Sequence, residues 1–322
     1  MRFANIAAAM LIICTIGINV NGYTKEAKGK TAAMPDVIKF GTIPVLQSLP
    51  LFVAAEKGFF REQGLNVEII LFNSAMEKDI ALSSGSIAGY FGDIMTPLVL
   101  QANGIGVKIV ANNFNTTRKQ RMFAILASPR SKNKKLEEVA KEGIATSSNA
   151  IPEYLIMRLV QFRKIKKDNV NLIDVKSIPI RLQMLLSNQV SAALLPEPLA
   201  SYAEERGAKV LIDDRARSIS STVIVFGDKY LEDYPQAIKA FHAALDKSAD
   251  YINKNPLAVR TIMNRECKMP ESLQGSFPIP EFPKLTIPSS QQVMDVYKWL
   301  REKQIIKKDM VYKDMVADGY LP

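Results

Sequence analysis

Small polar residues follow one apolar run of the sequence at a point where they can hold a polar ligand. The run "EGIA" leads into Thr146, Ser147, Ser148 and Asn149, and the helical pattern "IPEYLIMRLVQF" follows. Asn149 is predicted to cap this helix, with Pro152 in the first turn, where its missing N–H group costs little. The other N–H groups at the helix start lack partners and can bind an acceptor atom of a ligand. Capping alone and capping combined with ligand contact both fit this pattern.

Two carboxylates stand at equivalent points after other apolar runs. Asp93 ends "IAGYFGD" and precedes Thr96, whereas Glu197 lies between Pro196 and Pro198, directly after "AALL". Two prolines restrict the backbone around Glu197. Each acid has a structural alternative, which is a helix cap for Asp93 and a hydrogen bond across a hinge for Glu197. If both face a cleft, they favour a ligand with N–H donors or positive charge.

Residue counts exclude several classes of chemistry. His242 is the only histidine and the two cysteines are Cys14 and Cys267, so zinc clusters are excluded. His242 lies in the helical pattern "YPQAIKAFHAALDKSADYI" and is expected to be a partly exposed helix residue, not a base. No P-loop, GxGxxG or HExxH motif occurs, and neither a catalytic residue nor a cofactor is predicted. The net charge is +10, but its scattered clusters, such as Arg118–Arg121, favour a solvated basic surface over a nucleic-acid-binding patch.

The N-terminus is typical of an export signal. Arg2 precedes the apolar run "FANIAAAMLIICTIGINV", which predicts a signal peptide over residues 1–22 and a flexible leader over 23–35. Cys14 ends the lipoprotein-like sequence "LIIC", in which Ile13 is bulkier than usual, so a lipid anchor at Cys14 is an alternative. An uncleaved anchor helix is a further alternative, although the run is short for a membrane span. The predicted location is the periplasm or another extracytoplasmic compartment.

The elements that position the candidate residues alternate short β-rich runs with longer helical patterns. The runs "VIKFGTI", "NVEIILF", "IAGYFGD" and "VKIVANN" are predicted strands, with helices over 49–64, 76–85 and 96–104 between them. This alternation predicts an α/β fold with parallel sheets. The pattern then recurs, because "LSSGSIAGYFGD" (82–93) aligns with "LSNQVSAALLPE" (186–197) at a shift of 104 residues. Two lobes of one plan are predicted, each a small doubly wound sheet, with chance alignment as the alternative.

The loops after the strands of two such lobes form the walls of a ligand cleft, because ligands bind at that edge of open α/β sheets. Lobe one is predicted over 36–122 and 224–322, and lobe two over 123–223. The loops carry little positive charge, since Lys78 and Arg181 lie near helix starts and can point away. The residues predicted to bind the ligand are Gln47, Ser48, Leu49, Asn73, Ser74, Asp93, Thr96, Ser147, Ser148, Asn149, Glu197 and Ser221.

The sequence resembles one protein family at these same residues. The stretch "IKFGTIPVLQSLPLFVAAEKGFFREQGLNVEII" is similar to the opening of the periplasmic binding proteins for nitrate, sulfonates, taurine and thiamine-precursor pyrimidines. The stretches "LSSGSIAGYFGD" and "VSAALLPEPLAS" resemble two further elements of that family, with Ala88-Gly89 and Ser191 where an Asp is common. The tail "VYKWLREKQII" also fits, so the similarity covers residues 36–322.

The resemblance implies a type 2 periplasmic-binding-protein fold, a two-lobed Venus flytrap that captures solute in its cleft. It implies a monomer that delivers the solute to an ABC permease with its ATPase subunit. Contact with the membrane would come only through the permease or a lipid anchor. Fungal pyrimidine synthases of the same superfamily carry a Cys-rich motif and a reactive His, and the cleft loops here have neither.

The sequence leaves the solute open. Asp93, Glu197, Asn73 and Asn149 suit an amine, an amide or a heterocycle such as a pyrimidine. An aliphatic sulfonate, taurine or nitrate is the alternative, since helix N-termini alone can hold an anion. A cleft enzyme on the same fold, such as a menaquinone-pathway enzyme, is a rival of another class, and a ligand-sensing receptor subunit is a third. The predicted signal and the absence of a histidine in the cleft loops favour a binding protein over an enzyme.

Overall fold

The computed structural model of the chain describes residues 34–215, 217 and 219–322. The predicted signal peptide, Cys14 and residues 23–33 of the predicted leader lie outside this part. Within it, no helix combines the length and the apolar character needed to cross a membrane.

Ten strands form in the described residues, and they make two sheets of five strands each. The strands of the first sheet are β1 (Ile38–Thr42), β2 (Val67–Leu71), β3 (Gly89–Asp93), β4 (Val107–Asn115) and β10 (Ser221–Gly227). Those of the second sheet are β5 (Phe123–Ala127), β6 (Ile144–Thr146), β7 (Leu172–Asp174), β8 (Ala192–Pro196) and β9 (Lys209–Asp213).

The two sheets have the same topology. The strand order is β2-β1-β3-β10-β4 in the first sheet and β7-β6-β8-β5-β9 in the second. In each sheet the first three strands of that order are parallel, and the fourth runs antiparallel to both of its neighbours. The predicted repeat is therefore confirmed by the common strand order. The prediction of parallel sheets is wrong for β5 and β10, because these strands enter their sheets from the crossings between the lobes and run antiparallel to their neighbours. The chain passes from the first sheet to the second between β4 and β5 and returns between β9 and β10, so each sheet with its packed helices forms one lobe.

Thirteen α-helices form in the described residues. They are α1 (Leu49–Glu56), α2 (Phe59–Glu62), α3 (Ala75–Ser83), α4 (Met95–Ala102), α5 (Leu136–Glu142), α6 (Ile151–Phe162), α7 (Ile178–Leu186), α8 (Leu199–Glu205), α9 (Asp228–Asp233), α10 (Pro235–Lys254), α11 (Arg260–Glu266), α12 (Ser290–Glu302) and α13 (Tyr312–Met315). Equivalent helices share a start signal, because Ser74 caps α3 and Ser177 caps α7 through hydrogen bonds from backbone N–H groups.

Apolar side chains form three clusters, and one of them belongs to both lobes. The first covers one face of the first sheet with α1, α10 and α11, and the third packs α7 and α8 on the second sheet. The remaining cluster joins Leu98 and Val225 of lobe one to Ile125 and Leu159 of lobe two, together with Trp299 of α12. Burial of such side chains is the main favourable term in folding, so this cluster stabilises the junction of the lobes as well as each lobe.

His242 differs from its prediction as a partly exposed helix residue. It lies in α10 and is fully buried, with Nδ1 2.7 Å from the carbonyl oxygen of Tyr320. Burial lowers the pKa of His242 to about 4, so the ring is neutral at ordinary pH. The ring is buried because His242 lies among the buried residues of the 20-residue helix α10, beside Phe241 of the apolar cluster.

Candidate functional site

The two lobes face each other across a cavity of about 480 Å³, which we call the first cavity. Gln47 lies in the loop after β1 of lobe one, and Glu197 follows β8 of lobe two, so the cavity brings together two predicted site residues from opposite lobes. Its other lining residues come from the loop after β1, from β4 and α8, from both crossings between the sheets and from the segment before α12. They are Leu46, Phe114, Lys119, Gln120, Arg121, Ser201, Glu204, Arg215 and residues 277–282.

Glu197 is buried and lies at the centre of a hydrogen-bonded network on the cavity wall. Its Oε1 accepts hydrogen bonds from Arg121 Nε (2.5 Å) and Ser201 Oγ (3.1 Å), and its Oε2 accepts one from the backbone N–H of Ser201 (3.1 Å). Arg121 also pairs with Glu204 through Nη2. Burial disfavours the charge on Arg121, but Glu197 and Glu204 outweigh it and raise the pKa of Arg121 above its ordinary value. The network therefore holds one guanidinium between two carboxylates.

Another part of the lining of the first cavity is mainly apolar. It consists of Phe114 of β4 and the segment 277–282, in which Glu281 is the one charged residue, and the rings of Phe114 and Phe282 lie 5.6 Å apart. Gln120 fixes this segment, because its side chain exchanges two hydrogen bonds with the backbone of Glu281 at 2.8 and 3.1 Å. A lining that combines a polar network with aromatic side chains suits a small molecule with a flat apolar part and a few polar groups.

The polar loop of lobe two is held by hydrogen bonds within its own lobe. The backbone N–H of Ser148 donates to Asp174 Oδ1 (2.8 Å), and the hydroxyl of Ser147 donates to the carbonyl of Lys176 (3.3 Å). Asn149 is exposed and has a left-handed backbone with φ 56°. These three residues line neither the first cavity nor the cavity that contains Ser221.

The prediction that Asn149 caps α6 is wrong. The N-cap position is Ala150, which has no side chain to accept a hydrogen bond. The backbone N–H of Asn149 instead donates to Glu153 Oε2 (2.7 Å), and Glu153 Oε1 pairs with Lys303 Nζ of α12 (2.7 Å). An acid three residues into the helix thus satisfies the N–H group ahead of it. Asn149 takes the left-handed conformation that asparagine tolerates better than most residues.

Asp93 lies one residue before Ile94, the N-cap position of α4, and its side chain satisfies N–H groups of the first turn. Its Oδ1 accepts hydrogen bonds from the backbone N–H groups of Met95 (2.8 Å) and Thr96 (3.0 Å), and the Thr96 hydroxyl lies 3.2 Å from Oδ2. Asp93 and Thr96 are both partly exposed, so they remain accessible at the edge of lobe one. Asp93 and Glu197 thus occupy equivalent places in the repeat but differ in their contacts. Asp93 binds N–H groups at a helix start, whereas Glu197 binds Arg121 and Ser201.

Five further predicted residues lie in three different environments. Ser48 and Leu49 are fully buried, and the Ser48 hydroxyl donates to the carbonyl of Val45 at 2.6 Å. Asn73 and Ser74 are exposed at the start of α3, where Ser74 accepts a hydrogen bond from the Glu77 N–H.

Ser221 lies in a third kind of environment. It is buried at the start of β10 and lines a cavity separate from the first one.

Sequence reasoning missed Arg121 and the aromatic segment 277–282. Arg121 belongs to the basic cluster that was predicted to form a solvated surface, but its side chain is largely buried and only 13% of it is exposed. The signal available was weak, because its two carboxylate partners lie 76 and 83 residues further along the chain. The segment 277–282 reads "FPIPEF", an apolar and proline-rich run that matches no ligand-binding motif.

A family model described as NMT1/THI5 like matches residues 46–258, which is more than half of the chain. The chain belongs to the NMT1/THI5-like family. The matched residues run from the loop after β1 to just beyond α10, and they include Gln47, Arg121 and Glu197 of the first cavity but not the segment 277–282. The resemblance to binding proteins for nitrate, sulfonates and thiamine-precursor pyrimidines is thereby confirmed at the level of the family. No curated protein matches the chain.

Solved structures with the same fold include binding proteins of transporters. The alkanesulfonate-binding protein SsuA from Xanthomonas axonopodis pv. citri, bound to MOPS, is 14% identical with a TM-score of 0.75, and the match covers 89% of this chain and 100% of that one. The aliphatic sulphonate binding protein SsuA from Escherichia coli is 16% identical with a TM-score of 0.75, covering 88% and 92%. The nitrate-binding protein NrtA from Synechocystis PCC 6803 is 17% identical with a TM-score of 0.60, covering 73% and 67%. At these identities the likeness shows the fold, which is the two-lobed periplasmic-binding-protein fold.

Proposed function

We propose that this chain is the extracytoplasmic solute-binding subunit of an ABC importer. Membership of the family, the two-lobed fold and the export-like N-terminus all support this role. On this proposal the protein is an exported monomer, free or anchored by lipid at Cys14. It delivers its solute to a permease that works with an ATPase subunit.

The first cavity carries the proposal. Its volume of about 480 Å³ lies within the range of ligand pockets, roughly 300–1,000 Å³. Its walls come from both lobes, so a bound molecule gains contacts with each lobe only when the two are close together. The free energy of those additional contacts favours the closed arrangement, which the permease would recognise.

The solute best suited to this cavity is a small nitrogen-containing organic molecule, such as a pyrimidine or an aromatic amine. Its flat part would lie against Phe114 and the segment 277–282, and its N–H groups would donate to Glu197 and Glu204. The charged lining residues balance, because three cations face three anions. They are Lys119, Arg121 and Arg215 against Glu197, Glu204 and Glu281.

An aliphatic sulfonate, taurine or nitrate suits the cavity less well. The most buried guanidinium, Arg121, is already paired with Glu197 and Glu204. An anion would have to break one of these pairs or lie beside an uncompensated carboxylate. A nitrate ion would also leave most of a cavity of this volume unfilled.

A cleft enzyme on the same fold is the rival from another class. A general base must lie within hydrogen-bond reach of its substrate. The only histidine, His242, is buried in α10 and lines neither cavity. Glu197 and Glu204 of the first cavity are held by Arg121, and Glu197 also by Ser201, which favours a binding role over proton transfer.

A thermal-shift screen of the purified chain tests the proposal. The panel contains pyrimidines, aromatic amines, taurine, alkyl sulfonates and nitrate. A ligand at a hundred times its dissociation constant adds about 2.7 kcal/mol to the free energy of unfolding. We expect a shift from a nitrogen-containing compound, which is recovered unchanged. No shift from any compound, or recovery of a modified compound, would contradict a solute-binding role.

Matched carboxylate variants then locate the solute. Glu197→Gln keeps the size of the side chain but loses its charge, so we expect at least tenfold weaker binding of the compound identified. Glu205→Gln is the control, because Glu205 is exposed on the same helix α8 and does not line the cavity. Equal affinity in the Glu197 variant and the wild type would remove Glu197 from the site.

A further inference from the structure

A second cavity, of about 440 Å³, lies between α6 of lobe two, α12 and the return crossing to lobe one. It shares no lining residue with the first cavity. Its lining residues are Ile94, Tyr154, Arg158, Phe162, Arg217, Ile219, Ser221, Ser289, Gln291, Gln292, Asp295 and Val296. The proposed solute site makes no use of this space.

Arg158 is a cation with poorly satisfied donors on the wall of this cavity. Its Nη2 lies 3.7 Å from Asp295 Oδ2, which is too far for a hydrogen bond. Its Nη1 makes only a long contact of 3.4 Å with Gln161 Oε1, and its Nε is buried with no hydrogen-bond partner among the described residues. About a third of the side chain is exposed, at 35%, so an entering acceptor group can reach the guanidinium.

Arg217 is a second cation, held in place by two contacts. Its Cζ lies 4.6 Å from the centre of the Phe162 ring, and its Nε donates to the carbonyl of Asp213 at 3.2 Å. These contacts orient the guanidinium over an aromatic surface. Phe162 is 48% exposed, so the ring offers apolar surface to a ligand as well as to Arg217.

The charges of the second cavity do not balance. Arg158 and Arg217 contribute two positive charges and Asp295 one negative charge, which leaves a net charge of +1 on the lining. Asp295 is further engaged by Gln291 Nε2, which donates to its Oδ1 at 2.7 Å. Beside the charged groups, Ile94, Ile219 and Val296 provide an apolar surface.

We propose that the second cavity binds a small organic anion with one acidic group and a flat apolar body. The acidic group, a carboxylate or a sulfonate, lies between Arg158 and Arg217 and accepts their hydrogen bonds. The apolar body packs on Phe162 and the aliphatic residues. Because α6 belongs to lobe two and α12 packs on α4 of lobe one, the occupant contacts both lobes. This site is independent of the proposed solute and does not require the importer role.

Calorimetric titration of the purified chain with benzoate tests the site. Benzenesulfonate is the second anionic probe, and benzamide is the neutral probe of the same shape. We expect one benzoate per chain with a Kd of about 1 mM or tighter. We expect at least tenfold weaker binding of benzamide and of benzoate to Arg158→Gln, and no binding of benzoate to the Arg158→Gln/Arg217→Gln double variant.

Two further variants test whether benzoate occupies the second cavity. Arg163→Gln removes an exposed arginine at the end of the same helix outside the cavity, and benzoate affinity should stay unchanged. Phe162→Ala removes a half-exposed ring that contacts Arg217, and it should weaken binding of both aromatic anions. The proposal is overturned if no benzoate binds, or if the double variant binds it as the wild type does. It is equally overturned if Glu197→Gln abolishes benzoate binding, because the anion would then lie in the first cavity.

Discussion

At the scale of single residues, Asp214 joins the two crossings between the lobes. Its carboxylate oxygens accept hydrogen bonds from the backbone N–H groups of Met122 (3.0 Å) and Phe123 (3.1 Å). The side chain is fully buried, and burial raises the pKa of Asp214 from its ordinary value of 3.8 to about 6. The folded protein therefore binds a proton at Asp214 more tightly than the unfolded chain does.

Because the pKa of Asp214 is raised in the folded protein, the free energy of unfolding falls as pH rises. The contribution of Asp214 is full below a pH of about 4 and is lost as pH rises to about 6. We expect the free energy of unfolding of the wild type, relative to Asp214→Asn, to fall by up to about 3 kcal/mol across that range. Urea denaturation of both proteins at four pH values between about 4 and 7 measures the difference. A difference that stays constant with pH would contradict a raised pKa.

Residue roles were the part of the site that the sequence predicted least well. Local patterns identified Glu197 and Asp93 as notable, because a chain of alternating strands and helices fixes where loops fall. They did not show that Arg121, 76 residues away from Glu197, neutralises it. They also assigned the cap of α6 to Asn149, since the competing contact of Glu153 depends on a side-chain orientation set by Lys303 of a distant helix.

At the scale of elements, the repeat places one buried cation on the same turn of equivalent helices. Lys78 lies four residues after the cap of α3, and Arg181 lies four residues after the cap of α7. Both are almost completely buried, and neither lines either cavity. Arg181 donates to the carbonyl of Leu194 at 3.0 Å, and burial lowers its pKa to about 10. Both cations thus contact a strand of their own sheet, Lys78 at Tyr90 of β3 and Arg181 at Leu194 of β8, and do not enter the cavities.

Burial of the charged Lys78 side chain costs free energy, and replacement of Lys78 measures the balance between that cost and its contacts. Its Nζ lies 3.1 Å from the centre of the Tyr90 ring and 3.1 Å from Asp79 Oδ1, while burial lowers the pKa of Lys78. Methionine fills a similar volume without a charge, and water can still reach Asp79, which is 23% exposed. We expect Lys78→Met to lower the free energy of unfolding by about 2 kcal/mol at neutral pH, because it leaves the partly buried Asp79 without its partner. Urea denaturation measures this, and an unchanged or increased free energy of unfolding would show that the burial of Lys78 outweighs its contacts.

Helix α6 links the polar loop of lobe two to α12 through one side chain. Glu153 accepts the Asn149 N–H with one oxygen and pairs with Lys303 with the other, both at 2.7 Å. Hydrogen bonds to charged groups contribute about 1.5–3 kcal/mol, so their loss frees the amide. We expect Glu153→Ala to speed hydrogen exchange of the Asn149 amide at least tenfold, as measured by NMR.

Lys303→Met is the control for this exchange measurement. It removes the ion pair with Glu153 but leaves the acceptor of the Asn149 amide in place. The exchange rate of that amide should therefore stay close to the wild-type rate. Equal acceleration in both variants would mean that the ion pair, and not the hydrogen bond, holds the loop.

The elements themselves were predictable from the sequence. The alignment of residues 82–93 with 186–197 located β3 and β8 at equivalent places, because a doubly wound sheet repeats its order of buried strand, polar loop and helix. The packing of α12 against α6 of the other lobe could not be predicted. It depends on contacts such as that of Tyr154 with Trp299, which lie far apart in the chain.

At the scale of the whole molecule, the lobes share more than their two crossings. One apolar cluster contains residues of both sheets, and α12 packs between α4 of lobe one and α6 of lobe two. The rings of Tyr154 and Trp299 meet edge to face at 5.7 Å, with the ion pair of Glu153 and Lys303 beside them. Unfolding of either lobe would expose this common cluster to water, so the two lobes depend on each other for stability.

Trp299 makes this dependence measurable, because it is the only tryptophan of the chain and lies at the junction. We expect one cooperative transition in urea, with the same midpoint for Trp299 fluorescence and for far-ultraviolet circular dichroism. If the lobes unfolded independently, the fluorescence transition would come first and the dichroism would show two steps.

Val296→Ala removes apolar volume from α12 within the shared cluster. We expect it to lower the free energy of unfolding by about 1–3 kcal/mol and to shift both urea midpoints together to a lower concentration. Separation of the two midpoints in this variant would mean that the crossings alone join lobes that are otherwise independent.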